Sequence, residues 1–144
     1  MAYVTNADIQ TRLGNATYVQ LSDDNGDGAA DTAVVDEARI AAEGDVDSYL
    51  AVRHAVPVDV TVHPELAGLL KSAALDLAEY RLRLRRPPLP EDARRRRDQT
   101  IDWLRHIADG TVVLPSLTAP AGKGTMAQTS GAARLLSRTE LETH

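Results

Sequence analysis

A chain of 144 residues with 21 acidic and 16 basic side chains has room for one domain with a modest core, and not comfortably for two. It has no cysteine, which excludes disulfides and thiolate metal sites, and no run approaching the roughly 18 apolar residues of a membrane span. The opening MAYVTNADIQ lacks the basic start and apolar stretch of a signal peptide, so the expected setting is a reducing host cytoplasm or a particle assembled in one.

Aromatic residues are scarce, with no Phe, one Trp and four Tyr, so the core has to be built from Ala, Val and Leu. Such side chains let helices approach closely, but each buries less area than a ring. A lean core in a chain this short favours completion by neighbours. The charge is also unevenly spread. Residues 1–80 hold 14 acidic and 4 basic side chains, and residues 81–144 hold 12 basic and 7 acidic ones. A basic nucleic-acid patch would produce this asymmetry. So would a head-to-tail ring in which the acidic half of one copy meets the basic half of the next.

In chain order, Thr5 is placed to cap a first helix over residues 6–13, ended by Gly14. TYVQL (17–21) reads as a short strand or an extended linker, and residues 22–31 as a polar loop. A second helix, capped by Asp31 or Thr32, is expected to run to about residue 53. Val35, Ala38, Ala42, Val46, Tyr49 and Arg53 follow the three-and-four spacing of one helical face. Pro57 stops any continuation, and Pro64 fits the first turn of a third helix reaching about residue 86. A fourth begins near Glu91 after PPLP and ends at Gly110. TVVLP (111–115) is a second candidate for a minor β element. These elements predict an all-α bundle of about four helices over residues 1–115. Residues 116–144 form an arm, flexible by composition and ending in a short partner-binding segment at 133–144.

Two motifs carry possible chemistry. Asp23, Asn25, Asp27 and Gly28 match the opening of a calcium-binding helix–loop–helix, with Asp31 at its ninth position. The bidentate Glu of the twelfth position is replaced by Val34. Either an incomplete calcium site formed by Asp23, Asn25, Asp27 and Asp31 or an Asx-rich turn before a helix accounts for the loop. The other motif is a run of arginines at 81, 83, 85, 86 and 94–97. Arg94, Arg95, Arg96 and Arg97 point all round a helix, about 100° apart, and cannot form one DNA-reading face. The apolar stripe of the fourth helix, extended backward, lands on Arg94 and Arg97. This end of the helix is therefore expected to project beyond the core and offer charge to a neighbouring subunit or to DNA phosphate. No enzyme is expected. The four histidines sit on separate elements, and no nucleophile–base pairing, phosphate-binding glycine loop or dinucleotide fingerprint occurs.

Taken in order, MAYVTNADIQTRLG, LSDDNGDGAAD, VDSYLAVRHAVPV, ALDLAEYRLRLRRPP, TIDWLRHIADGTVVLP and ARLLSRTEL resemble the Mu-like phage head–tail joining (connector or adaptor) proteins, over nearly the whole chain. The resemblance implies a virion protein at the head–tail junction. About a dozen copies would ring the exit of the portal and extend the DNA channel, without sequence-specific contact, toward a stopper or tail-completion protein. It further implies that the C-terminal arm reaches the portal through Arg134, Leu135, Leu136, Ser137 and Arg138. Leu136 stands where the family often has an aromatic residue. It implies no cofactor and no membrane. Two other classes compete: a helical DNA-associated protein using residues 81–97, and a calcium-regulated binding module.

Overall fold

Thr5 opens α1 (Asn6–Leu13) with reciprocal bonds: its hydroxyl accepts from the Asp8 N–H, and its own N–H donates to the Asp8 carboxylate. The structure, a computed structural model, describes residues 2–115 and 117. Nearly all of the expected arm, with Arg134, Leu135, Leu136, Ser137 and Arg138, lies outside the described residues.

The segment expected to be extended is a helix. Gly14, at φ 80° and ψ 149°, donates to the Gln10 carbonyl to close α1, and its carbonyl accepts from Tyr18 to start α2 (Asn15–Ser22). Thr17, Tyr18 and Val19 favour strands by propensity, but tertiary packing decides here. Tyr18, Leu21 and Ser22 recur at helical spacing and are buried, and α2 lies on two longer helices. The Ser22 hydroxyl donates to the Tyr18 carbonyl, so its burial leaves no polar group unmatched.

The main body is α3 (Thr32–Leu50), α4 (Pro64–Leu84) and α5 (Glu91–Asp109), each packed on the other two. Val35, Ala38, Ala42, Val46 and Leu50 form the inner face of α3, as the spacing predicts. The helix ends three residues earlier than expected, at Leu50. Pro64 stands at the start of α4, and Gly110 closes α5 in the left-handed conformation. Ala42, Ala74 and Ala78 are fully buried between helices, with Leu66, Leu70, Leu82, Leu104 and Ile107 filling the space around them. Among the described residues there is no strand. TVVLP folds back as a turn in which the Val112 N–H donates to the His106 carbonyl and Leu114 covers the end of the core.

The N-terminus is tied down by a side chain that the sequence did not single out. The Tyr3 hydroxyl donates to Asp47 on α3 and accepts from the Val58 N–H in the α3–α4 connection, while the N–H groups of Tyr3 and Val4 both donate to Glu43. Burial first, and then the Asp47 bond, push the phenol pKa well above its ordinary range, so it stays protonated. Tyr3→Phe strands the Val58 N–H and one Asp47 oxygen. The expected loss is about 1–3 kcal/mol in urea unfolding with an unchanged slope. A loss near zero would mean that water replaces the hydroxyl without cost.

Candidate functional site

The acidic loop between α2 and α3 turns its oxygens on its own backbone. Asp23 accepts from the N–H groups of Gly26 and Gly28 at 2.7 and 2.9 Å, Asn25 accepts from Asp27, and Asp27 accepts from Ala29. Asp31 accepts from the Asp24 N–H and the Asn25 amide. Gly26 and Gly28 have φ of 76° and 82°, a region that suits glycine. No group of three or more His, Asp or Glu side chains converges on a common ion position among the described residues. Asp24, which lies outside the calcium pattern, is the residue that links the loop to the body. Its carboxylate takes Arg85 at 2.6 and 2.8 Å, while Arg86 donates to the Asp23 carbonyl.

The arginine run is used largely inside the chain. Arg81 pairs with Asp45, Arg83 with Glu79, and Arg85 and Arg86 with Asp24. Arg95 pairs with Asp92, and Arg97 pairs with Asp98 while lying 5.2 Å over the Tyr80 ring. Arg94 is exposed and has no side-chain partner among the described residues. In α5 the core begins at Ile101, and the turns before it carry the arginines. Ala93 is buried against the body, and Arg96 extends along α4 to Glu79 at 2.9 Å. Arg81, Arg83, Arg85, Arg86 and Arg96 thus pair with Asp24, Asp45, Asp76 and Glu79 of the acidic half within one molecule, while most acids of that half make no such pair.

Glu79 is the centre of this pairing. It is 4 % exposed on α4, receives Arg83 and Arg96 on one oxygen, and has Arg12 of α1 at 3.4 Å from the other. Asp76, one turn earlier, takes Arg12 and the Thr100 hydroxyl. Three guanidiniums and two carboxylates thus join α1, α4 and α5. In the sequence Glu79 is one acid among many. The signal that could have found it is its position on the α4 face that also carries Leu75 and Leu82 at three- and four-residue spacing.

One end of the bundle is apolar. Val52, Val56 and Val62 in the α3–α4 connection and Val113 after α5 are exposed, the last at 75 %. An open groove of about 700 Å³ lies there, lined by Val52, His54, Pro57, Val62, His63 and Leu117 among others. Arg53 ties this end together by donating to the Ala108 and Asp109 carbonyls, the last acceptors of α5. Leu117, the last described residue, packs against the core at this end.

Several groups give the molecule a pH dependence. Burial, then the Arg53 charge, lower the His54 pKa. Lys71 lowers that of Asp8, the Gly28 N–H that of Asp23, and the Thr61 and Thr111 hydroxyls those of Asp59 and Asp109. In every case the unfolded chain binds the proton more readily, so stability is lost as pH falls through the window below the unfolded value. The melting temperature is expected to be level between about pH 7 and 9, to decline gently below about 6.5 through His54 and steeply below about 4 through the carboxylates, and to fall above about 10, where the buried phenols of Tyr3 and Tyr18 ionise more readily in the unfolded chain. A melting temperature that rises between pH 7 and 5 would contradict this.

The fold and these surfaces define a small all-α bundle whose helices are laced by internal ion pairs and which exposes a cluster of valines at one end. A family model described as Bacteriophage Mu, Gp36 matches residues 3–133, and the chain belongs to that phage family. The match covers the whole described body and stops one residue before Arg134, so the arm residues expected to anchor the chain lie beyond it. No curated protein matches the chain. No helix among the described residues is long and apolar enough to cross a membrane.

Proposed function

We propose that the chain is a structural head–tail connector. Copies form a ring under the portal, extend the DNA channel and join the filled head to the tail. Membership of a Mu-like phage family carries this reading. The surface supports it: an isolated monomer gains nothing from four exposed valines at one end, whereas a protein stacked between others buries them. The partners are further copies of the chain, the portal, and a stopper or tail-completion protein. The chemistry is docking, with no catalysis, cofactor or metal assigned to it. The DNA-associated alternative loses support because the arginines it needs are largely neutralised in place, with Arg94 left over.

The test is a phage stock that lacks this chain. The expected products are DNA-filled heads and free tails that do not join, and infectious particles on addition of the purified protein. Infectious particles formed without the chain would overturn the reading.

A further inference from the structure

The outer face of α3 and the α4–α5 cleft share no residue. Ala33, Glu37, Ile40, Gly44 and Ser48 recur every three or four residues along α3, and all are exposed. Ile40, 60 % exposed, is the one large apolar side chain among them, and a Cβ built on Gly44 meets nothing within 4 Å. The face carries a single large apolar side chain, and its Glu37 also borders a groove with Arg81 and Arg85. The cleft is its complement: about 200 Å³ lined by Leu69, Ser72, Arg96, Gln99 and Trp103, with Leu69 45 % exposed. No α3 residue lines it, so it opens away from α3.

The charges match as well. Glu37 has no side-chain partner among the described residues. Beside the cleft, Arg12, Arg83 and Arg96 face Asp76 and Glu79, which leaves one positive charge without an acidic counterpart. Arg96, 37 % exposed, is the member of that group lining the cleft together with Asp76.

We infer that the outer α3 face of one copy seats in the α4–α5 cleft of the next, with Ile40 against Leu69 and Trp103 and Glu37 toward Arg96. The contact joins two different surfaces of the same chain, so repeating it closes a ring or extends a filament, whereas a self-paired contact stops at a dimer. The inference rests on the connector reading and names the surfaces that would build its ring.

The chain has no cysteine, so Ile40→Cys with Leu69→Cys introduces its only thiols, both at exposed positions. In purified particles assembled with the double variant, mild oxidation is expected to move most of the chain into a ladder of covalent multiples on a non-reducing gel. Each single variant stays monomeric, and a mixture of the two gives dimers and nothing larger. Exclusion of the folded double variant from particles that take up the wild-type chain would also support the contact, because both substitutions remove apolar surface that it buries. Chain incorporated in particles without a ladder would overturn this interface and leave the connector reading intact. Dimers from Ile40→Cys alone would overturn it in favour of a self-paired contact. Particles that contain no wild-type chain would sink the connector reading, and the interface with it.

Discussion

Replacing Glu79 by alanine is expected to lower the stability of the folded chain by about 3 kcal/mol. Glu79 is almost completely buried and receives two guanidiniums directly, with a third within ion-pair range. Breaking a buried pair by removing one partner costs about 3–5 kcal/mol, since the remaining charges keep their desolvation penalty without compensation. The lower end applies here because the three arginines are 24 to 37 % exposed and water recovers part of their hydration. Arg96 is the worst placed, because its Nε is buried and already lacks a hydrogen-bond partner. In a domain this small the loss corresponds to a fall in melting temperature on the order of 10 °C, measurable by circular dichroism. Glu79→Gln, which keeps the shape and one acceptor, is expected to lose less. A loss below about 1 kcal/mol for the alanine variant would mean that the three helices are held by apolar packing alone.

Removing residues 133–144 is expected to do the reverse: leave the body intact and abolish joining. Leu114 already covers the end of the core at 2 % exposure, so the melting temperature of the truncated chain should match that of the full one. Incorporation into particles is expected to fall about 100-fold, equivalent to about 2.7 kcal/mol of binding. The physical reason is the segment's composition: Leu135 and Leu136 supply apolar area, and Arg134 and Arg138 flank it. Full incorporation of the truncated chain would show that the bundle alone makes the joint.

The elements whose ends are set by local chemistry were legible in the sequence. The Thr5 cap, Pro64 at the start of α4, and the glycines at 14 and 110 act within a few residues of themselves, and each stands where the spacing puts it. Elements decided by distant contacts were not. TYVQL has strand-forming residues but becomes α2 because Tyr18 and Leu21 find the surfaces of α3 and α4. The internal partners of the arginine run were hidden for the same reason. Counting charges along the chain separates Arg85 from Asp24 by 61 residues, yet the fold sets them 2.6 Å apart. Part of the asymmetry in sequence is thus closed within the molecule, and Glu37, Glu91 and Arg94 are among the described residues whose side chains find no partner. Glu79 was hidden because burial of an acid shows only when its partners from other helices are in view.

The most direct test of the connector reading is an image reconstruction of the intact particle at the head–tail junction. A ring of copies of this chain is expected directly below the portal, with the five-helix body recognisable in each and the C-terminal residues running onto a neighbouring protein. Density at that level built from other chains, with this one absent from the particle, would contradict that reading.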